Sequence, residues 1–251
     1  MSLQEFFNNN QRIAVAYSGG VDSSYLLYAA KKAGCAVCAY FIKSQFQPQF
    51  ELDDALRFAS TIGVPLTVGT LDALCHRSIA QNGTDRCYRC KTVMLAKLWE
   101  LARADGFPVL CDGTNADDIE SDRPGMRALQ EQKVMSPLRD NGFTKKEIRN
   151  LSEQAGLFTH DKQSYACLAT RIPTGTAITE ELLAKIEFAE TALLYLGFSD
   201  FRVRLLPPNG AKIQLLKEQF DKIIAKRDRI LAALKQDFDS VVLDLTPRGG
   251  G

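Results

Sequence analysis

The stretch that decides the fold is AYSGGVDSSY, residues 16–25, which follows directly on the apolar run RIAVA at residues 12–16. An apolar strand that runs into a glycine and serine turn and then into a helix is typical of the first βα unit of an α/β protein. Amides at the start of such a helix and in the turn form a concave surface that binds anions, and serine hydroxyls add donors. The sequence therefore predicts a phosphate-binding loop containing Ser18, Gly19, Gly20, Asp22 and Ser23.

Two widespread phosphate loops do not fit these residues. A Walker loop needs a lysine followed by serine or threonine, and the dinucleotide-binding loop needs GxGxxG spacing, and neither pattern is present. The remaining alternative is a tight turn in which Asp22 or Ser23 only caps the helix. Capping alone does not require this whole set of small and polar residues, so phosphate binding is the favoured interpretation.

Composition and charge restrict the class of protein. The chain has 251 residues, 45% of them apolar and 24% charged, which is ordinary for a globular protein with a real core. With 31 basic and 30 acidic residues, no overall field attracts nucleic acid or an anionic membrane. The start MSLQEFFNNN lacks a signal peptide, and no apolar stretch approaches the roughly 18 residues that span a bilayer. We expect a cytoplasmic protein whose partner is a small molecule.

Strand and helix patterns alternate along the first two thirds of the chain, which predicts an α/β fold: a parallel sheet with helices on both faces. Ligands of such sheets bind at the carboxyl ends of the strands. Thr144 and Glu147 fit a capping box at the start of the last helix. The predicted strands are 12–17, 35–42, 65–70 and 107–113, and the predicted helices are 21–34, 51–63, 90–106 and 144–156.

The pattern changes after about residue 170 and predicts a small α+β domain. A long helix precedes FRVRLLPPNGAKIQLL, which contains two strands around a PPNG turn. We therefore predict domains at residues 1–170 and 171–251. The elements predicted for the second domain are a helix at 179–196, strands on either side of the turn, a helix at 216–235 and a strand at 240–246.

The seven cysteines fall into two groups. Their odd number and the absence of a secretory signal argue for reduced thiols rather than a disulfide framework. Cys35 and Cys38 lie in a predicted strand, where positions i and i+3 point to opposite faces. Together with Cys75 and Cys111, they are expected to be small apolar residues of the core.

Cys87 and Cys90 differ, because they lie in the polar segment DRCYRCK at the start of a predicted helix. Positions i and i+3 share one helix face, and a helix N-terminus favours thiolates. Two thiolates seldom hold a metal alone, and Cys167 is a candidate third ligand. Three cysteines suit a [4Fe-4S] cluster with one iron open. A zinc site completed by His160, a redox disulfide and unused thiols are the alternatives.

Two further segments carry polar groups suited to a nucleotide. DGTNADD follows a predicted strand, where Asp112, Thr114, Asn115 and Asp118 could contact ATP and, through Asp118, magnesium. The alternative is a capped loop. In FRVRL, Arg202 and Arg204 stand two apart on a predicted strand, which places both on one face and suits a phosphate. The alternative there is a solvated strand face.

These motifs together resemble a known family. SGGVDS resembles the pyrophosphate loop of the ATP pyrophosphatases, the PP-loop superfamily, which splits ATP into AMP and pyrophosphate. DRCYRCK, DGTNADD and SYACLATRIPTG (164–175) resemble the LarE family, and the resemblance covers nearly the whole chain. LarE enzymes are ATP-dependent sulfurtransferases that mature the nickel-pincer nucleotide cofactor of lactate racemase. Their substrate is pyridinium-3,5-biscarboxylic acid mononucleotide: a carboxylate is adenylylated, sulfur displaces AMP, and two rounds give the dithio product.

The resemblance also implies roles for particular residues. The paired arginines 202 and 204 match those that bind the nucleotide phosphate, and Arg171, Glu190 and Asp221 match further functional positions. Some members sacrifice the sulfur of a cysteine at the position of Cys167, whereas members that also carry the CxxC pair are thought to use a cluster. The family further implies ATP and Mg²⁺ as cofactors and a homo-oligomer such as a hexamer.

Other functions of the superfamily fit less well. A tRNA-thiolating enzyme would need a basic surface or an RNA-binding module, and the near-zero net charge counts against it. An amidating synthetase would leave DRCYRCK without a role, and the chain has no room for a glutaminase domain. A module that only senses nucleotide would release no pyrophosphate.

Overall fold

The computed structural model describes residues 2–118 and 124–248, and the chain divides into two compact units. The first unit comprises Met1–Ala73 and Asp85–Tyr165, and the second comprises Leu74–Thr84 and Ala166–Gly251. A short segment from the first half of the chain therefore belongs to the second unit. The predicted boundary at residue 170 between independently folding domains stays a prediction.

The first unit is built on a parallel sheet, as the sequence predicts. Within the described residues the third strand of the chain pairs with the second, the second with the first and the first with the fourth, and every pairing is parallel. Ala16, at the carboxyl end of the first strand, lies opposite Asp112 of the fourth. The phosphate loop and the DGTNADD segment therefore leave the sheet at neighbouring positions. The strands are β1 (Arg12–Ala16), β2 (Ala36–Lys43), β3 (Leu66–Thr70) and β4 (Val109–Asp112).

Burial alternates along the strands and shows why helices cover both faces. Ile13 and Val15 of β1 belong to one apolar cluster, whereas Ala14 between them belongs to the other. In β2, Phe41 faces the first cluster and Tyr40 the second. Since successive side chains of a strand point to opposite sides, a strand that is apolar throughout must be covered twice. This confirms the predicted architecture.

The four helices predicted for the first unit are present, and three of them begin within two residues of the predicted position. The capping box of Thr144 and Glu147 is present. The helix that carries DRCYRCK begins at Arg86, four residues before the prediction, with Arg89 paired to Asp85 at 2.6 Å across its first turn. The helices, in chain order, are α1 (Leu3–Asn9), α2 (Val21–Lys32), α3 (Gln49–Ile62), α4 (Arg77–Ala80), α5 (Arg86–Ala104), α6 (Pro124–Glu131), α7 (Pro137–Asp140), α8 (Lys145–Gln154), α9 (Glu180–Tyr195), α10 (Phe220–Ala225) and α11 (Arg227–Leu234).

The second unit contains a smaller sheet packed with α9. Strands β5 (Arg202–Leu206) and β6 (Gly210–Gln214) form the predicted antiparallel pair around the PPNG turn. Strand β7 (Ser240–Leu243) pairs in parallel with β6. Within the described residues, no helix is long and apolar enough to cross a membrane.

The single helix predicted over 216–235 is wrong. The chain forms a 3-10 turn at Lys217–Gln219, then α10 and α11, with a break at Lys226 where φ is −103° and ψ is 10°. Lys226 donates from Nζ to the carbonyl of Leu196 at the end of α9 (2.5 Å). The last carbonyls of a helix need a donor from outside the helix, and here a tertiary contact supplies it and overrides local helix propensity.

Candidate active site

The phosphate loop joins β1 to α2 and leaves the start of the helix open. Gly19 has φ +78°, a conformation that favours glycine, and Gly20 is the N-cap of α2 with no side-chain capping bond. Ser23 turns back instead: its hydroxyl donates to the carbonyl of Gly20 (3.3 Å) and lies 3.1 Å from the hydroxyl of Ser18. The alternative in which Asp22 or Ser23 caps α2 is therefore wrong.

Asp22 combines an ion pair with an unpartnered oxygen. Its Oδ2 lies 2.5 Å from Nζ of Lys145, the first residue of α8. Its Oδ1 is buried and has no hydrogen-bond partner. A buried acceptor without a partner is costly, so Oδ1 is suited to receive a ligand or its cation. Lys145 was missed by sequence reasoning, because only the fold brings it to the loop.

A second group of charges lies next to Gly19 of the phosphate loop. A Cβ placed on Gly19 would lie 3.2 Å from Oε2 of Glu51 and 3.8 Å from Nζ of Lys162. Glu51 is 7% exposed, and burial raises the pKa of its carboxyl although the neighbouring Lys162 opposes that shift. The ammonium of Lys162 also pairs with Asp54 at 2.8 Å. Sequence reasoning missed this group as well.

The DGTNADD segment packs directly against the phosphate loop. A Cβ on Gly113 would lie 2.6 Å from the backbone nitrogen of Ser23, closer than any side chain could approach. The carboxylate of Asp112 is held by hydroxyl donors, from Thr114 at 2.6 Å and from Ser136 at 2.7 Å. Only a residue without a side chain at position 113 allows this loop to lie against the first turn of α2.

The rest of the segment forms a tight, internally bonded turn. The backbone amide of Asn115 donates to Oδ2 of Asp118 (3.1 Å), and the side chain of Asn115 accepts from the amide of Asp117 (2.9 Å). Asn115 is buried, as is Thr114 before it. These bonds agree with the capped-loop alternative, and magnesium binding by Asp118 stays a prediction.

Cys87 and Cys90 lie near the start of α5 in the first unit, three residues apart and thus on one face of the helix. Neither cysteine is in a disulfide, and Cys87 is exposed. Nη2 of Arg86 lies 3.3 Å from Sγ of Cys87, and Sγ of Cys90 lies 3.7 Å from Sδ of Met94. The first two turns of α5 therefore carry both thiols, with a guanidinium next to that of Cys87.

Cys167 lies in the second unit, where it precedes a 3-10 turn at Leu168–Arg171, and it is not in a disulfide. In residues 2–118 and 124–248, no group of three or more histidine, cysteine, aspartate or glutamate side chains is arranged to hold a metal ion. The three-cysteine cluster therefore stays a prediction.

The remaining cysteines divide as expected with one exception. Cys38 and Cys111 are buried, and Cys35 packs half-buried against the opposite cluster from Cys38, as the strand geometry predicts. Burial raises the pKa of the Cys35 and Cys38 thiols, which keeps them neutral. Cys75 is exposed, so its assignment to the core was wrong. It lies in the turn before α4, outside the apolar positions of any element.

In the second unit, Arg202 and Arg204 belong to a cluster of arginines. Arg202 is 6% exposed, so the solvated-face alternative is wrong for that residue. Burial, followed by repulsion from other guanidiniums, lowers the pKa of Arg202 to about 10, and burial also lowers the pKa of Arg204. Arg204 donates to the carbonyl of Thr170 (2.7 Å) and to Gln214 (2.5 Å), which fix its orientation.

A buried ion pair supports this cluster. Arg171 is bidentate to Glu190, at 2.7 and 3.2 Å, and its side chain is 0% exposed. Glu190 also accepts from the backbone amide of Val203 in β5 (2.9 Å). The pair thereby fixes the strand between the two arginines, which fits a positioning role. A catalytic role for Arg171 or Glu190 stays a prediction.

Arg248 is a member of the cluster that sequence reasoning missed. It pairs with Asp200 at 2.8 Å, and its Nε is buried without a partner. Its position near the end of the chain, in TPRGGG, gives no pattern from which such a role could be predicted. Asp221, which the family resemblance suggests as functional, is exposed in the first turn of α10.

Comparison with known proteins gives consistent results. Residues 11–82 match the family model described as tRNA methyl transferase HUP domain. The chain is 35% identical to an uncharacterized protein of Synechocystis over 97% of this chain and 92% of that protein. It is 31% identical to the pyridinium-3,5-bisthiocarboxylic acid mononucleotide synthase of Lactiplantibacillus plantarum, over 94% and 86%. A tRNA-specific 2-thiouridylase of Pseudothermotoga lettingae is 30% identical over 60% and 54%.

The fold and the phosphate loop identify the class of enzyme to which the chain belongs. A parallel sheet whose first strand runs into SGGVDS and an open helix start is the architecture of an ATP-using PP-loop enzyme. Nearly full-length similarity then narrows the assignment. The chain belongs to the family of the pyridinium-3,5-bisthiocarboxylic acid mononucleotide synthase, the LarE family.

The contact between Gly113 and Ser23 can be tested by adding one methyl group. We expect Gly113→Ala to weaken ATP binding at least tenfold, because the new Cβ would overlap backbone atoms that cannot move aside independently. Gly69→Ala is the matched control, since its Cβ would meet only the side chains of Leu101 and Ile42. Isothermal titration with ATP should show normal affinity for folded Gly69→Ala. Equal ATP affinity in both variants would contradict the assignment of the phosphate loop, supported by Gly113, as the ATP site.

Proposed function

We propose that the protein is an ATP-dependent sulfurtransferase that acts on pyridinium-3,5-biscarboxylic acid mononucleotide in biosynthesis of the nickel-pincer cofactor of lactate racemase. The observation that carries the proposal is the open, uncapped start of α2 at SGGVDS, in a chain similar over nearly its whole length to the L. plantarum synthase. That relative's name describes a bisthiocarboxylic acid mononucleotide as its product. Adenylylation and sulfur transfer are the steps that convert a carboxylic acid into such a product.

The first half-reaction uses the phosphate loop. A carboxylate oxygen of the substrate attacks the α-phosphorus of ATP, an acyl-adenylate forms, and pyrophosphate leaves. Backbone amides at the start of α2 and the hydroxyls of Ser18 and Ser23 are placed to bind the β and γ phosphates. Magnesium would accompany ATP and neutralise its charge, with Asp118 as the proposed protein ligand.

The second half-reaction needs sulfur in a nucleophilic form. Sulfide attacks the acyl carbonyl, the bond to AMP breaks, and a thiocarboxylate and AMP are released; a second round modifies the other carboxylate. Cys87, Cys90 and Cys167 are the proposed holders of a [4Fe-4S] cluster, and none of the three is in a disulfide. Such a cluster, when bound, would supply exchangeable sulfide.

The arginine cluster of the second unit is the proposed site for the substrate's own phosphate. Arg171, Arg202, Arg204 and Arg248 interact with one another there, and Glu190 and Asp200 pair with members of the cluster. An excess of guanidiniums in a buried position is unfavourable until an anion arrives, and the pKa of Arg202 is lowered by burial first and by this repulsion second. A phosphate monoester, a dianion near neutral pH, has the charge that this cluster lacks.

Transfer of sulfur to tRNA is the second candidate, because thiouridylases are among the relatives and the matching family model is a tRNA one. That similarity covers only 60% of this chain and 54% of the thiouridylase. The mononucleotide substrate is therefore favoured, and tRNA serves as the competing acceptor in the assay.

The first prediction concerns the products of ATP. In the presence of the pyridinium substrate and sulfide, the enzyme should release AMP and pyrophosphate, measurable by ³¹P NMR. Asp22→Ala should abolish most of this activity because it removes the carboxylate at the loop, whereas Asp53→Ala, an exposed residue of α3, should retain it. Release of ADP and orthophosphate, or full activity of Asp22→Ala, would contradict the proposal. Turnover with tRNA alone would favour the second candidate.

The second prediction separates the substrate phosphate from ATP. Arg204→Ala should weaken binding of the pyridinium nucleotide by about 1.5–3 kcal/mol, roughly 10- to 150-fold, through loss of one charge-assisted contact. ATP affinity should hardly change. Arg229→Ala, an exposed arginine of α11, is the control for net charge. If Arg204→Ala weakens ATP binding as much as it weakens binding of the pyridinium nucleotide, the assignment of the arginine cluster to the substrate phosphate is wrong.

The third prediction distinguishes the cluster from a sacrificial cysteine. Protein purified without oxygen should contain iron and acid-labile sulfide, and substitution of Cys87, Cys90 or Cys167 by alanine should remove them, whereas Cys75→Ala should not. Mass spectrometry after turnover should find Cys167 intact. Dehydroalanine at Cys167, with Cys87→Ala and Cys90→Ala fully active, would show the sacrificial mechanism instead.

A further inference from the structure

Lys162 lies beside the phosphate loop in an arrangement that the proposed chemistry does not yet use. Its Nζ lies 2.8 Å from Oδ2 of Asp54 and 3.4 Å from Oε2 of Glu51. The same Nζ lies 3.8 Å from the position that a Cβ of Gly19 would occupy. Its side chain is only 14% exposed. A lysine in this position is within reach of a ligand in the loop and is largely shielded from water.

The charges around Lys162 are unfavourable for phosphate as they stand. Two carboxylates share one ammonium, so the group carries a net negative charge next to a site for a polyanion. Glu51 is almost fully buried and its Oε1 has no hydrogen-bond partner. A buried carboxylate with one unpartnered oxygen is costly. A function for this group must therefore explain both the lysine and the carboxylates.

We propose that Lys162 is the cation that binds the pyrophosphate end of ATP, and that Glu51 and Asp54 hold its ammonium beside the loop until ATP arrives. The inference rests on the proposed use of ATP by the SGGVDS loop. Lysine is suited to this task, because its ammonium is a compact charge on a flexible stem and can move between two sets of oxygens. Lys162 thereby supplies, from a distant part of the chain, the positive charge that the loop lacks in its own sequence.

A proton balances the transfer of the ammonium. When Nζ turns to the phosphate oxygens, Glu51 loses its nearest positive charge, and its pKa, already raised by burial, rises further. The groups that face it, Asp54 and Tyr17, offer no compensating positive charge. Glu51 therefore takes up a proton as ATP binds. A reaction that takes up a proton becomes more favourable as the pH falls.

Ligands of different length provide the first test. In the whole chain, Lys162→Met should weaken the binding of ATP and of pyrophosphate about 10- to 150-fold, because one charged hydrogen bond is lost. Affinity for AMP, which lacks the two outer phosphates, should change less than twofold. Lys97→Met, which removes a half-buried lysine paired with Glu100, is the control for net charge. Unchanged ATP affinity, or equal losses for ATP and AMP, would overturn the proposal.

A double-mutant cycle separates direct contact from screening. In Glu51→Gln/Asp54→Asn protein the carboxylates carry no charge, so a lysine that only screened them would be dispensable. We expect Lys162→Met to remain at least tenfold weaker for ATP in that background. The background also removes the unpaired buried carboxylate, so that folding, checked by circular dichroism, is retained. If Lys162→Met no longer weakens ATP binding in this background, Lys162 only screens the charges of Glu51 and Asp54.

Proton uptake provides a readout that packing alone would not produce. Titrations with ATP between pH 7 and 8.5, in two buffers of different ionisation enthalpy, should show uptake by the natural protein and less by Glu51→Gln. Equal uptake by both would contradict the role of Glu51. The outcomes also separate this inference from the proposed function: formation of AMP and pyrophosphate with full ATP affinity in Lys162→Met overturns only the role of Lys162. Failure of the natural protein to bind ATP would overturn both.

Discussion

The structure of the candidate ATP site depends on one close approach, between Gly113 and the backbone of Ser23. Parallel pairing of β1 with β4 brings two loops to the same edge of the sheet, and the absence of a side chain at position 113 lets them touch. The first turn of α2 is thereby supported by the backbone of the neighbouring loop. Without that support, the open amides at the start of α2 would have no fixed direction, and the contribution of the loop to binding would fall.

The second unit achieves the same rigidity by a different interaction. Arg171 and Glu190 are buried as a pair, and Glu190 also bonds the backbone of β5. A charge pair in the interior is expensive unless every donor and acceptor is satisfied, and here both oxygens of the carboxylate are engaged. Arg202 and Arg204 stand on either side of the bonded residue, so their strand cannot shift without breaking the pair. Rigid scaffolds of this kind hold like charges together before a ligand neutralises them.

Local features of the sequence predict the fold and much of the site. The apolar run before SGGVDS, the capping box at Thr144 and the alternation of strands and helices follow from rules that act over a few residues, and the structure confirms them. Lys145, Lys162 and Arg248 could not be predicted in that way. Each belongs to an ordinary polar segment and reaches its site only through the chain's tertiary path. The break at Lys226 has the same origin, because the carbonyl that its side chain bonds lies at the end of another helix.

Helix α5 has two ends with different surroundings. Leu95, Leu98, Trp99 and Ala102 are buried in its second half, and Trp99 also donates to the carbonyl of Gln132. Cys87 lies near the N-terminal end of the same helix and is exposed. The residues that secure the helix and the residues that carry its thiols are therefore different residues, separated by about two turns of helix. Replacement of Cys87 and Cys90 should therefore cost the folded state little.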